Sequence, residues 1–220
     1  MAHYMKRYIP ILFMVISFSA GAQKIKLNDG FLVTKAGDTL KGLLYWKKNS
    51  RSSDSLLYKK TDDDTVKHYA WSELKYAWNE NTKQAITICS VKRSLEYIDQ
   101  SNFNIQLPDS TVTETIPLTP LYTGKRLSLY KFNDKSIYFF IYDGTEMLQL
   151  VQKFRYLTEF EKKFDFQRAP KYYVMNEYRV QLSVYYDFKE DKKLKYMLDN
   201  SLYEEKSLFS LISKLDKKMK

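Results

Sequence analysis

The chain has 220 residues, 44% of them hydrophobic, 28% charged and 16% aromatic, which is long enough to bury a substantial core and too apolar for a disordered polymer. Six Gly and five Pro exclude a collagen-like or low-complexity chain, and no repeat of solenoid or propeller period is present. Thirty-six Lys plus Arg against 26 Asp plus Glu give a net charge of +10, so anionic partners are expected.

The start reads as a signal peptide. His3, Lys6 and Arg7 precede an apolar run over 9–20, followed by Ala20, Gly21 and Ala22, and small residues at Ala20 and Ala22 suit signal peptidase cleavage after Ala22. The run is shorter than the roughly 20 residues a membrane span needs, so removal is favoured over retention as an anchor. No cysteine stands directly after it, which excludes a bacterial lipoprotein anchor. Losing 1–22 takes two cations and no acid from the charge of +10, leaving +8. The mature chain is expected to have no transmembrane span and to be soluble or peripherally attached. Its basic character points to anionic envelope polymers or another envelope protein rather than to nucleic acid. A composition rich in Lys, Tyr, Phe, Ile and Asn is also what AT-rich coding produces.

Strand-like segments follow. Residues 31–35 and 39–46 flank Ala36, Gly37 and Asp38, predicting a hairpin in which Gly37 takes a positive φ. The polar stretch 47–54 reads as a loop. Residues 55–60 and 66–70 form a second pair around Thr61, Asp62, Asp63, Asp64 and Thr65. Ser72 is a candidate N-cap for a helical turn leading into a strand at 76–78. Residues 85–91, 94–98 and 103–107 are short apolar runs, and Pro108, Pro117 and Pro120 punctuate what comes next. Residues 127–132 and 136–142 are further strands, with Asp143 and Gly144 turning the chain into 145–152, a strong hairpin signal.

Past 153 charged pairs replace strand runs and the expected structure is helical. Leu194, Met197 and Leu198 mark a short helix ending near Asn200. Leu208, Leu211, Ile212 and Leu215 recur at helical spacing, predicting a terminal helix with this stripe buried and its lysines in water. Between 177 and 188 the alternation of Tyr178, Val180, Leu182, Val184, Tyr186 and Phe188 favours a strand, whereas Val174, Tyr178, Leu182, Tyr185 and Tyr186 share a helical face.

Gly30, Phe31, Leu32, Val33 and Thr34 leading into Gly37, Asp38, Thr39 and Gly42 resemble the opening of a group of uncharacterised exported Bacteroidota proteins, in which a signal peptide precedes a "GD-T-x-x-G" hairpin. Gly124, Leu127, Ser128, Leu129 and Tyr130, then Tyr138, Phe139, Asp143 and Gly144, and a tail with Ser207, Leu208 and Leu211 extend the likeness. The resemblance implies an exported protein with a β-rich front and a helical rear, and it decides 177–188 in favour of helix. It implies no reaction, substrate or catalytic residue. The expected class is therefore α+β: signal peptide over 1–22, an antiparallel β-rich region over 23–152, and a short helical region over 153–220 packed on it.

Chemical signatures are sparse. His68 is the only histidine after the leader and Cys89 the only cysteine, so two-histidine metal sites and an intramolecular disulfide are impossible within one chain, and no metal or cofactor is expected. Cys89, inside an apolar run, reads as a buried hydrophobe rather than a nucleophile. Dinucleotide, P-loop and nucleophile-elbow motifs are absent. The Asp62, Asp63, Asp64 run lacks EF-hand spacing and reads as a solvated turn. Trp46, Trp71 and Trp78 are candidates for a sugar-stacking platform, with core packing as the alternative. Lys214, Lys217 and Lys218 are candidates for an anion-attracting helix face. The expected function is a non-catalytic binding or structural module of the cell envelope. A secreted hydrolase acting on glycan or peptidoglycan through convergent carboxylates is the alternative, because such acids need no fixed spacing.

Overall fold

The computed structural model describes residues 25–46, 55–94, 98–99, 104–105, 111–134, 136–156, 172–189 and 191–219. The proposed leader over 1–22, the loop over 47–54 and Pro108 lie outside them.

One antiparallel ten-stranded sheet dominates. Its strands are β1 (Asn28–Thr34), β2 (Thr39–Tyr45), β3 (Ser55–Lys59), β4 (Lys67–Ala70), β5 (Leu74–Asn79) and β6 (Gln84–Ser94), continued by β9 (Thr111–Thr123), β10 (Ser128–Asn133), β11 (Ile137–Tyr142) and β12 (Met147–Leu150). The lateral order is β12-β11-β10-β9-β6-β5-β1-β2-β3-β4. Two short hairpins stand apart: β7 (Ile98–Asp99) with β8 (Asn104–Ile105), and β13 (Lys153–Tyr156) with β14 (Tyr172–Met175). Helices α1 (Glu177–Ser183), α2 (Lys192–Asp199) and α3 (Glu205–Lys218) follow. The chain is thus α+β, with a β-rich front and a short helical rear. Among the described residues no helix is long and apolar enough to cross a membrane.

The front must curl. Edge strand β4 is joined to β5 by a single 3-10 turn, Trp71–Glu73, yet in the order β5-β1-β2-β3-β4 a flat sheet would hold them four spacings, about 19 Å, apart. Four residue steps span at most about 14 Å even fully extended, and a 3-10 turn is shorter. The sheet therefore bends around Leu32, Leu44, Leu56, Tyr58, Trp71, Leu74, Ala77, Ile86 and Ile88, its front core. The first turn forms as expected, with Gly37 at φ +103°. The cap of the 3-10 turn differs from expectation: Ser72 lies inside it, and the Glu73 carboxylate accepts the Ala70 N–H at 2.7 Å.

The rear curls the opposite way. The run read at 85–91 extends as β6 to Ser94, with Arg93 pointing inward; of the run read at 94–98, residues 95–97 lie outside the described residues and Ile98 opens β7. Ile86 and Ile88 face the front core, whereas Cys89 and Val91 face a second core with Ile116, Leu118, Tyr138 and Phe140. Gln149 on β12 returns beside the end of β6, accepting the Ser94 N–H through its amide oxygen at 2.6 Å. Inside lies Arg93, 1% exposed. Its guanidinium pairs with Glu114, lies 3.5 Å from Asp134 and stacks 4.8 Å from the Tyr138 ring centroid.

Pro117 and Pro120, read as interruptions, lie within β9. The strand accommodates them because it changes partners there. Residues 111–118 pair with β6 and residues 119–123 with β10, with a bulge beside Pro120. Each proline thus sits where β9 has a paired neighbour on one side only, which a residue without an N–H tolerates.

Strands also outlast the change of texture at 153, because β13 and β14 pair across it and helix begins only at Glu177. Their aromatic and β-branched residues suit a strand pair, and much of the intervening charge lies in 157–171, outside the described residues. For 177–188 the helix is correct over Glu177–Ser183. Tyr178 and Leu182 are buried while Val180 and Val184 are 71% and 76% exposed, which a strand alternation would have placed on one face.

The helices cover the outer face of the rear sheet. Leu208, Leu211, Ile212 and Leu215 are buried as one stripe against Leu127, Leu129, Phe139, Ile141 and Leu150, joined by Tyr178, Leu182, Leu194 and Leu198. The Asp191 side chain caps α2 by accepting the Leu194 N–H at 2.9 Å. The Asp143 carboxyl, held down to about 2 by the Thr145 hydroxyl and then the Glu146 N–H, accepts the Tyr185 hydroxyl at 3.2 Å and ties the β11–β12 turn to the segment after α1.

Candidate functional site

A depression of about 640 Å³ with convergent polar groups lies where the front core meets the free edge of the sheet, lined by residues of β2, β3, β4 and the β3–β4 turn. Register builds it. Leu44 is paired with Tyr58 across β2 and β3, and Leu56 and Tyr58 with Tyr69 and Lys67 across β3 and β4. Alternation therefore puts Leu40, Tyr58, Lys67 and Tyr69 on one face. Gly42 lies beneath the Tyr58 ring. A side chain there would strike that ring and the Lys59 carbonyl, so only glycine lets the ring lie across β2 and donate its hydroxyl to the Lys41 carbonyl at 3.0 Å.

Tyr58 and Tyr69 meet edge to face, centroids 5.9 Å apart at 78°, and form the floor with Leu40. Lys60 and Lys67 stand on the rim, both exposed, with Thr65 between them. Lys41 contributes its carbonyl, the acceptor of the Tyr58 hydroxyl, while its side chain alternates with Leu40 and pairs with Phe31 on the opposite face. Neither rim lysine is ion-paired among the described residues, and the one carboxylate in the lining is Asp64. That carboxylate is engaged, accepting both the hydroxyl and the N–H of Thr61 at 2.8 Å, and those bonds hold its carboxyl below the usual range. Burial, then the neighbouring Tyr69 and Asp64, pushes the Tyr58 hydroxyl up, so it stays a neutral donor. The site thus offers unpaired cations over an aromatic floor, the chemistry that holds an anionic sugar or a phosphate-bearing polymer.

The residues expected from sequence are not gathered there. Trp71 belongs to the front core and Trp46 packs against it. Trp78 alternates with core residue Ala77 and pairs with Phe31, on the opposite face of the sheet. The three tryptophans form no common platform. Of the terminal lysines, Lys218 pairs with Asp191 at 3.2 Å and the Lys214 ammonium sits 3.3 Å from the Met197 sulfur. Lys217 is exposed and makes no ion pair among the described residues. His68 is an exposed residue of β4. Cys89 is half-buried, and burial pushes its thiol up.

Sequence reading missed Leu40, Tyr58, Lys60, Lys67 and Tyr69 because they come from two hairpins. The available signal was the tyrosine alternation in the second pair together with a glycine opposite it in β2. Two carboxylates that do converge, Glu114 and Asp134, meet on Arg93 within the rear core. Comparison of the chain with protein-family models, with curated proteins and with solved structures found no match in any of the three.

Proposed function

We propose that this is an exported cell-envelope protein of the Bacteroidota type described above, acting as a non-catalytic module that binds an anionic envelope polymer in the Tyr58–Tyr69 depression. The observation that carries the reading is Lys60 and Lys67, which make no ion pair among the described residues, on the rim over a tyrosine floor. A sugar ring packs on the half-buried Tyr69 ring while its carboxylate or phosphate meets the ammonium groups, and the shallow form of the site admits a chain passing through rather than a small molecule enclosed. The basic start, apolar run and Ala20-Gly21-Ala22 sequence support export with cleavage after Ala22.

Retention on immobilised alginate, with dextran as the neutral control, tests the binding. The parent should be retained at low salt and released as salt rises, because exposed charges are screened within about a Debye length, roughly 10 Å at 0.1 M. Replacing Lys60 and Lys67 together by Glu should abolish retention, while replacing Lys217 by Glu should leave most of it. Equal loss in both variants would replace the site with diffuse surface charge. Protein recovered from the producing cell should begin at Gln23. An intact Met1 product held in the membrane would overturn the export reading.

A further inference from the structure

A second depression, of about 840 Å³, lies between the turn after α1 and helix α2. Tyr186 and Phe188 meet edge to face at 5.3 Å in its wall, and Lys189, Lys192 and Lys195 line it against a single carboxylate, Asp187. Lys195 is shared with Asp199 at 2.9 Å, whereas Lys189 and Lys192 make no ion pair among the described residues. At the rim Val184 is 76% exposed, and Val180, one helical turn back, is 71% exposed. Tyr196, 69% exposed, stands four residues on from Lys192 and so on the same side of α2.

We propose that this end of the molecule docks onto anionic phospholipid bilayers, with Lys189, Lys192 and Lys195 on the headgroup phosphates and Val180, Val184 and Tyr196 dipping into the interface. Charge complementarity argues for this occupant: three lysines face a surface that carries negative potential, where each cation adds appreciably to binding. The apolar residues argue for a bilayer over a folded partner. Val180, Val184 and Tyr196 project singly and offer far less than the roughly 1,000 Å² a stable protein interface buries, yet at a lipid interface small apolar area adds to the attraction of cations for anionic headgroups, and tyrosine is also favoured there. Lysine stems add apolar length while keeping their ammonium groups in the headgroup layer. The inference does not rest on the tyrosine-lined depression, which lies at the free edge of the front sheet.

Co-sedimentation with vesicles tests it. Protein beginning at Gln23 retains every described element and removes the apolar run over 9–20, which would bind lipid by itself. It should sediment with vesicles of equal parts phosphatidylglycerol and phosphatidylcholine and remain free of pure phosphatidylcholine. Replacing Lys189 and Lys192 by Gln should lower the partition coefficient about twentyfold or more, taking roughly fivefold for each lysine. The Val180→Ser, Val184→Ser pair should lower it severalfold with unchanged melting, since both side chains already face water. Replacing Lys60 and Lys67 should have no effect on sedimentation, which keeps this outcome separate from the polymer-binding site. Inorganic phosphate at matched ionic strength should not displace the protein. Absence of parental binding, indifference to either pair of substitutions, or displacement by phosphate would overturn bilayer docking.

Discussion

Four donors converge on Asp216 in the last turns of α3. The Arg126 and Leu127 N–H groups reach one carboxylate oxygen at 2.7 and 2.8 Å, and the Tyr122 hydroxyl and Lys125 N–H reach the other at 2.9 and 3.2 Å. Burial alone would raise this carboxyl. The bonds from Leu127, Arg126, Tyr122 and Lys125 outweigh it and hold the group below its ordinary value. Stability from such a group is present above the unfolded carboxyl value, about 3.9, and is lost as pH falls through the lower folded value. Replacing Asp216 by Asn turns an acceptor into a donor facing donors and should cost about 2–3 kcal/mol near neutrality. The gap between parent and variant should narrow as pH falls below about 4 in urea titrations, and a gap independent of pH would show that the carboxylate is not ionised in the fold. Arg93 is the counterpart in the rear core. Removing its guanidinium leaves Asp134, whose side chain is 2% exposed, without that cation, so Arg93→Leu should lose about 3–5 kcal/mol. A change under about 1 kcal/mol, the level of a surface ion pair, would contradict the burial.

Helix α3 shows how far periodicity alone reaches. The spacing of Leu208, Leu211, Ile212 and Leu215 specifies both the helix and its buried face, because one stripe at helical period leaves a single way to hide it. Leu211→Ala should cost about 2–5 kcal/mol by thermal or urea unfolding, the range for a fully buried leucine. An unchanged midpoint would place the stripe in solvent. Other elements were harder to read for physical reasons. The two prolines of β9 suggest interruption unless one knows that the strand exchanges neighbours between them. Arg93 reads as a break in β6 unless Glu114 and Asp134 are known to lie opposite. The alternation over 178–188 mimics a strand because Val180 and Val184 are apolar yet exposed. In each case the deciding contact is distant in sequence.

For the molecule as a whole, hairpin signals at Gly37 and at Asp143 and Gly144 made the β-rich front and its antiparallel character readable, and the leucine stripe made the helical rear readable. The curl was not, since it follows from strand order and from the three residues that join β4 to β5. The candidate site depends on that curl and so escaped the sequence, which drew attention to three tryptophans that the sheet separates and to terminal lysines that are partly engaged. The most direct measurement is an amide chemical-shift titration of the protein beginning at Gln23 with alginate oligosaccharides. Progressive, saturable shifts should gather on Thr39, Leu40, Lys41, Tyr58, Lys60, Lys67 and Tyr69 and leave Trp78 and Lys217 in place. Shifts spread evenly over the lysines, or centred on α3, would contradict the assignment of binding to the tyrosine-floored depression.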